Sequence, residues 1–305
     1  MRWIKRGLIY TPDEGLPWAR HSALQPTPLI MNDGSIRIFA GFRDDKGVSR
    51  VGYVDVDPDN PSKVLKVAKR PVLDIGIDGA FDENGVVPCA VVKRDEQLFL
   101  YYAGYQLGQK VKFFAFTGLA ISDDKGESFL RYQRTPVLDR NNDEMFFRAI
   151  HSIMYDEEKW KIWYGGGSEF TPGEKKQLPV YDVKYLESKD GIHFEGTGSI
   201  CIPVKGGDEY RVGRPYVMKD GKLFRMFYSV GTKSKGFRLG YAESPDGIIW
   251  TRKDEQIGID VSDDGWDSKM IAYPSVVRCR ENTYLFYNGN NYGEKGVGYA
   301  VLEHW

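Results

Sequence analysis

The sequence predicts an all-β fold, a five-bladed β-propeller with four-stranded antiparallel blades, and three observations lead to this prediction. A pattern of paired strands recurs five times at intervals of about sixty residues. Asp-Gly and Lys-Gly pairs, which suit tight hairpin turns, separate many of the strands. The first ten residues have the character of a fourth strand that the last repeat lacks. We therefore expect residues 1–305 to form a single domain.

Each repeat begins with an apolar strand at a proline or histidine, continues through a short polar turn, and ends in an aromatic strand. The five anchor residues are Pro28, Pro88, His151, Pro215 and Pro274. They are 60, 63, 64 and 59 residues apart. The alternation of side chains in segments such as LFLYYAG and LFRMFYS is typical of strands, and helical periodicity is nearly absent.

The later part of each repeat supplies the third and fourth strands of a blade. In the last repeat, the third strand runs up to Trp305. The N-terminal segment RWIKRGLIYTP is expected to provide the fourth strand of that blade, which would close the ring and cover an exposed edge. An open β-sandwich is the alternative fold.

Composition argues against several functions. The formal net charge is −1, from 42 basic and 43 acidic residues, so no nucleic-acid partner is expected. No apolar stretch has the length of a membrane span, and residues 1–10 lack the apolar core of a secretory signal. We therefore expect no membrane partner and a cytoplasmic location.

No cofactor and no metal are expected either. The four histidines form no HExxH pattern, and the three cysteines are far apart. No glycine-rich phosphate loop opens a helix, and no GxSxG motif is present. A calcium ion in the axial channel is an alternative that the sequence leaves open.

Polar residues precede the innermost strand of every repeat, where a propeller opens onto its ligand-binding funnel. The expected ring consists of Arg20, His21, Gln25, Asp82, Glu83, Asn84, Arg148, His151, Glu209, Arg211, Arg214, Asp267, Lys269 and Tyr273. A second tier, at the ends of the second strands, includes Arg43, Asp44, Tyr105 and Asn288. Buried charge is costly unless it is paired or used, so we interpret the ring as a binding pocket. A network of ion pairs between blades is the alternative interpretation.

The layout, with segments such as FDENGVVPCAVV, GRPYVMKDGKLFRMFYS and ESPDGIIWTR, resembles the five-bladed propeller glycoside hydrolases, among them arabinanases, β-xylosidases and invertases. These segments are most similar to a branch associated with bacterial surface-polysaccharide biosynthesis. The resemblance covers essentially the whole chain. It implies that carboxylates from different blades cleave a glycosidic bond, one as an acid and one as a nucleophile or base.

The carboxylates of this chain depart from that family pattern. The first inner strand offers His21 and Gln25 where the family has an Asp, and the third offers Arg148 and His151. The expected catalytic groups are therefore three carboxylates and one imidazole: Asp82, Glu83, Glu209 and His151.

Basic residues are more numerous than a neutral sugar requires. Arg20, Arg148, Arg211, Arg214 and Lys269 all belong to the expected ring, and arginine suits a carboxylate or phosphate because it binds either in a bidentate manner. The sequence thus predicts an enzyme of glycoside-hydrolase type that acts on an anionic sugar. A sugar acid, a sugar phosphate and a nucleotide sugar all fit. The alternatives are a non-catalytic carbohydrate- or sugar-nucleotide-binding propeller in a polysaccharide pathway and, last, a protein-binding scaffold.

Overall fold

The computed structural model describes residues 1–13, 15–174 and 176–305. This part of the chain is nearly all β, with twenty strands, one 3-10 turn (Asp254–Gln256) and one short helical turn, α1 (Asn290–Gly293). The β-rich class that the sequence predicts is therefore confirmed. Neither helical turn in these ranges is long and apolar enough to cross a membrane.

The strands form four sheets. The N-terminal strand is β1 (Arg2–Tyr10). The first sheet has the order β2 (Ser22–Ile30), β3 (Ile36–Arg43), β4 (Ser49–Val56), β5 (Val64–Val67). An eight-stranded sheet contains β6 (Val86–Arg94), β7 (Gln97–Leu107), β8 (Phe113–Ser122), β9 (Leu130–Arg131), β10 (Phe147–Asp156), β11 (Lys159–Pro172), β12 (Gln177–Ser188) and β13 (Ser199–Ile202). The third sheet has the order β14 (Glu209–Asp220), β15 (Leu223–Thr232), β16 (Gly236–Ser244), β17 (Thr251–Arg252). The fourth sheet contains β18 (Ala272–Cys279), β19 (Asn282–Asn288), β20 (Val297–His304) and β1.

The N-terminal strand completes the sheet formed by the other end of the chain. Strand β1 pairs antiparallel with β20, as the sequence indicates. Trp3 of β1 is 5% exposed and packs against Phe227 of the third sheet, with ring centroids 6.1 Å apart. The pairing covers an edge of β20 that would otherwise be open to another chain.

The five inner strands β2, β6, β10, β14 and β18 contact one another in sequence, and β18 also contacts β2. The apolar core lies between neighbouring sheets. Phe39 and Tyr53 of the first sheet, for example, pack with Leu100 and Tyr102 of the next. Large aromatic side chains fill these gaps, which agrees with the high aromatic content of the strands.

A bulge interrupts each inner strand at an equivalent place. The extra residues at the five register shifts include, in chain order, Gln25, Cys89, His151, Arg214 and Tyr273. Gln25, Arg214 and Tyr273 have φ angles of 56°, 54° and 60°, in the left-handed region that residues other than glycine rarely adopt. A proline follows each of these three, which a bulge tolerates because the ladder hydrogen bond is already lost there. Bulges redirect side chains, and here they do so where these five strands contact one another.

We expect Trp3→Ala to lower the free energy of unfolding by about 3–5 kcal/mol, because it leaves a cavity between β1 and the third sheet. The matched control is Arg2→Ala, which removes an exposed ion pair with Glu303 and should cost less than about 1 kcal/mol. Urea unfolding followed by circular dichroism measures both changes. Equal losses in the two variants would contradict a closing role for β1.

Candidate functional site

A cavity of about 380 Å³ lies at the bulges of the inner strands. Its polar and aromatic lining comprises Gln25, Arg43, Ser49, Asn84, Tyr105, Lys112, Phe113, Phe147, His151, Lys176, Gln177, Tyr181, Arg211, Arg214, Tyr273 and Tyr292. No Asp or Glu is among the lining residues that the structure describes. The cavity is therefore rich in cations and aromatic rings but carries no acid on its wall.

The inner-strand ring that the sequence predicts is partly assembled at this cavity. Six of its members line the cavity: Gln25, Asn84, His151, Arg211, Arg214 and Tyr273. Arg43 and Tyr105 of the second tier join them. The bulges account for much of this convergence, because four of the five bulge residues are lining residues.

Arg214 holds the inner strands together at the cavity. The residue is 3% exposed, and its guanidinium donates hydrogen bonds to the carbonyl oxygens of Cys89, His151 (3.4 Å) and Pro26 (3.1 Å) and to the Thr27 hydroxyl (2.7 Å). These contacts link β14 to β2, β6 and β10. Because both terminal nitrogens of Arg214 donate hydrogen bonds to protein atoms, this side chain mainly stabilises the fold.

His151 is the imidazole of the cavity, and it is 9% exposed. Burial, followed by the charge of Arg214, lowers the pKa of His151 well below 6.5, so the ring is neutral at pH 7. Its Nδ1 atom has no hydrogen-bond partner within the described ranges. A neutral imidazole in this position can exchange a hydrogen bond or a proton with a ligand hydroxyl.

Four other cations line the cavity: Arg43, Lys112, Lys176 and Arg211. They come from β3, the β7–β8 connection, the loop before β12, and β14. Within the described part of the chain, no ion pair engages these four side chains, and the Nε atoms of both arginines are buried without a hydrogen-bond partner. Burial and the neighbouring charge of Lys176 lower the pKa of Lys112, with smaller contributions from the two arginines. The four positive charges therefore repel one another in the absence of a ligand.

Arg211 is the most deeply buried of these four cations, at 8% exposure. Its guanidinium carbon lies 4.2 Å from the ring centroid of Phe237, 5.0 Å from that of Tyr210 and 5.7 Å from that of Tyr181. Aromatic faces stabilise a cation without neutralising its charge. The side chain is thereby held in place while its charge stays available to a ligand.

Aromatic rings form two walls of the cavity. Phe147 lies between Phe113 and Tyr181, with ring centroids 5.5 and 5.6 Å away, and we call these three residues the aromatic wall. Elsewhere on the lining, Tyr273 and Tyr292 stack with centroids 6.5 Å apart. Ring faces combined with phenolic hydroxyls suit a ligand that has both apolar and hydroxyl-bearing surfaces, such as a sugar.

Two of the carboxylates that the sequence assigns to catalysis lie together in the chain but outside the cavity lining. Asp82 is 1% exposed and accepts hydrogen bonds from the Tyr102 hydroxyl (3.0 Å) and from Arg131 Nε (2.8 Å). Glu83 accepts a hydrogen bond from the Gln106 side chain (3.2 Å) and another from a backbone N–H. Both carboxylates thus have partners within the protein.

The arrangement around Asp82 recurs at equivalent tyrosines of β7, β11, β15 and β19. The four tyrosine–acid–base sets are Tyr102, Asp82 and Arg131; Tyr164, Glu144 and Arg148; Tyr228, Asp254 and Arg252; and Tyr287, Asp267 and Lys5. Glu209, the third expected catalytic carboxylate, joins one set by pairing with Arg252 at 2.9 and 3.1 Å. Three of the acids in these contacts, Asp82, Glu209 and Asp267, belong to the ring that the sequence predicts at the cavity.

The remaining predicted residues do not line the cavity: Arg20, His21, Asp44, Arg148, Lys269 and Asn288. Asn288 is fully buried, donates to two backbone carbonyls and accepts the N–H of Gln25, so it supports the bulge of β2. Asp44 pairs with Arg50 at 3.0 Å, and Lys269 is exposed.

Sequence reasoning missed several lining residues, among them Lys112, Lys176, Tyr181 and Tyr292. The two lysines lie in connections between strands, where nothing in the local sequence marks a cavity. Tyr181 lies inside a strand, and its sequence context does not distinguish it from other aromatic residues of strands. Within the described ranges, no group of three or more His, Cys, Asp or Glu side chains is placed to hold a metal ion.

The curled sheets around the cavity form an all-β fold similar to that of propeller-like glycoside hydrolases. The structure is similar to that of a glycoside hydrolase with a TM-score of 0.77 and 18% identity, over 99% of this chain and 92% of that one. It is also similar to a thermostable family-43 glycoside hydrolase, with a TM-score of 0.70 and 16% identity over 96% and 91% of the two chains. At these identities the likeness concerns the fold alone.

The chain belongs to the family of the uncharacterized protein Rv1502 of Mycobacterium tuberculosis (strain ATCC 25618 / H37Rv). The two are 34% identical over 303 residues, which is 99% of this chain and 100% of the relative. A shorter match, 32% identical over 80 residues, joins 25% of this chain to 26% of a beta-1,2-mannobiose phosphorylase of Thermoanaerobacter sp. (strain X514). No family model matches the sequence.

We expect Asp82→Ala to destabilise the fold by about 3–5 kcal/mol, because it leaves the Arg131 charge and the Tyr102 hydroxyl without their buried partner. Glu83→Gln is the matched neighbouring control and should change the unfolding free energy far less, since this side chain is not enclosed. Chemical unfolding of both variants tests the difference. A stable, fully folded Asp82→Ala protein would refute the structural role of the carboxylate.

Lys112→Gln should raise the Tm of the unliganded protein by about 1–2 °C, because it removes one of four repelling charges that are partly screened by solvent. The lowered pKa of Lys112 means that its charge destabilises the fold at neutral pH. This cost begins to fall once the pH exceeds the folded-state pKa and is gone above the unfolded-state pKa of about 10.4, so the gain in Tm should shrink toward about pH 10 and above.

Differential scanning fluorimetry measures the Tm of this variant across pH. Lys110→Gln, in the same connection but outside the cavity lining, is the control and should leave Tm nearly unchanged. A lower Tm for Lys112→Gln at neutral pH would contradict the repulsion.

Proposed function

We propose that this protein is a five-bladed β-propeller that binds a sugar carrying an anionic group in its central cavity. The proposal for the blades rests on five successive runs of strands, each starting with an inner strand, and on the contact of β18 with β2. In this arrangement each blade has four strands and β1 belongs to the last blade. The single domain spans residues 1–305.

The observation that carries the proposed function is the charge of the cavity wall. Arg43, Lys112, Lys176 and Arg211 line it without counter-ions, and no acid is among its described lining residues. Arg211 is buried and Arg43 is half-buried, whereas Lys112 and Lys176 are exposed. Like charges gathered at one cavity wall are costly, and an anionic ligand removes that cost by pairing with them. Arginine also provides directional, paired donors for carboxylate or phosphate oxygens.

The sugar part of the ligand is supported by the rest of the lining. The aromatic wall offers faces against which a sugar ring can pack, while Tyr105, Tyr273 and Tyr292 contribute phenol groups. Gln25 and Asn84 add amide groups that can form hydrogen bonds with sugar hydroxyls. The fold shared with glycoside hydrolases agrees with a carbohydrate ligand, and the resemblance of the sequence suggests a role in polysaccharide biosynthesis.

Binding suits this geometry better than hydrolysis by two carboxylates does. That mechanism requires an acid and a nucleophile or base about 5–10 Å apart at the sugar. Asp82, Glu83 and Glu209 are instead engaged by protein donors outside the lining.

A glycoside-active enzyme is the second candidate, and the partial match to a phosphorylase favours it. A phosphorylase uses inorganic phosphate in place of water, which the cations of the cavity would suit. His151, neutral and within the lining, would then be the group available for proton transfer.

We expect anionic sugars to raise the Tm of the protein and the corresponding neutral sugars not to do so. The test is thermal-shift titration with matched pairs, such as glucose against glucuronate and glucose against glucose phosphate. Arg43→Gln should weaken the response to anionic sugars about tenfold or more, because it removes a bidentate charged contact.

The matched control is Arg70→Gln, an exposed arginine outside the cavity lining, which should respond as the parent does. Stabilisation by neutral sugars alone would refute the proposal. Turnover of a glycoside by the parent, abolished in His151→Gln, would favour the enzymatic candidate instead.

A further inference from the structure

We propose that the anionic group of the ligand is a phosphate ester, so that the cavity takes a phosphorylated monosaccharide. This inference rests on the proposed function and names the anion of the ligand. It starts from the convergence of Arg43, Lys112, Lys176 and Arg211, which approach the cavity from four separate elements.

The number of unpaired charges favours a doubly charged anion. A sugar acid brings one negative charge, which would leave most of the positive charge of the wall unbalanced. A phosphate ester brings about −1.5 to −2 at neutral pH. Arg214 does not alter this comparison, because protein carbonyls and a hydroxyl already occupy its terminal nitrogens.

The number of available hydrogen-bond donors also favours a phosphate ester over a carboxylate. Arg43 and Arg211 each keep a buried Nε without a partner among the described residues, and Lys112 and Lys176 add two ammonium groups. A carboxylate presents two oxygens on one side of a carbon, so four cationic groups would crowd it. A phosphate ester presents three strong acceptor oxygens directed apart, which two arginine forks and two lysines can share.

The size of the cavity limits the remainder of the ligand. About 380 Å³ is near the lower end of the roughly 300–1,000 Å³ that small-molecule sites occupy. The aromatic wall accounts for one ring of the ligand. A monosaccharide phosphate fits these limits better than a nucleotide sugar, which adds a ribose and a base.

The test is isothermal titration calorimetry with the full chain and a matched panel. For glucose, mannose and galactose the panel contains the neutral sugar, the uronic acid and the 1- and 6-phosphates, and it also contains inorganic phosphate and the UDP-sugars. We expect at least one sugar phosphate to bind ten times or more tightly than its uronic acid and than inorganic phosphate.

The outcomes separate the two proposals. If a uronic acid binds as tightly as the phosphates, the phosphate inference fails while the proposed function stands. If inorganic phosphate binds as tightly as any sugar phosphate, or a UDP-sugar binds more tightly, the monosaccharide phosphate is likewise overturned. If no anionic member of the panel binds, the proposed function fails and the inference fails with it.

Two double variants test whether the affinity for the sugar phosphate depends on the cations that line the cavity. The double variant Arg43→Gln, Lys112→Gln should lose at least tenfold in affinity for the sugar phosphate and much less for the neutral sugar. The double variant Arg70→Gln, Lys110→Gln carries the same charge change outside the lining and should bind as the parent does. Equal affinity losses in the two double variants would overturn the inference, and the Tm of each unliganded variant verifies that it is folded.

Discussion

The hydrogen bonds of one buried guanidinium, that of Arg214, organise the centre of this molecule. They join the inner strand that carries it to backbone carbonyls of three others, at the residues where those strands bulge. The Ser275 hydroxyl extends the connection to the fifth inner strand by donating to the Pro26 carbonyl at 2.6 Å. Because bulged backbone leaves carbonyls without ladder partners, a buried cation that satisfies several of them stabilises the ring and fixes the side chains that line the cavity.

Several acids among the described residues make contacts within the sheets rather than in the cavity lining. In four places a tyrosine of a second strand meets a carboxylate, buried in three cases and half-buried in that of Asp254, which in turn pairs with a basic side chain. A buried carboxylate is costly without partners, and Asp82, Glu144 and Asp267 each gain stabilisation from these contacts. The last of these sets uses Lys5 of β1, and so the same chemistry also holds the N-terminal strand in place.

The cavity keeps an excess of positive charge as a consequence. With the nearby acids engaged elsewhere, Arg43 and Arg211 remain as charges without ionic partners, and Lys112 has a lowered pKa. Aromatic faces hold Arg211 without neutralising it. The anionic ligand that we propose would complete this balance of charge, whereas a neutral sugar would leave it unfavourable. This difference is the physical basis of the proposed specificity.

The sequence by itself determined the β-rich class, the repeat and the pairing of β1 with the end of the chain, because alternation, turn residues and spacing are local properties of the chain. It also marked Gln25, His151 and Arg211 as lining residues through their place before or within inner strands. Only the tertiary structure shows that Asp82 lies outside the cavity lining, where one of its carboxylate oxygens accepts hydrogen bonds from Tyr102 and Arg131. Such pairing joins residues that are distant in sequence. A local sequence pattern therefore cannot predict which charged side chains lack a partner in the folded protein.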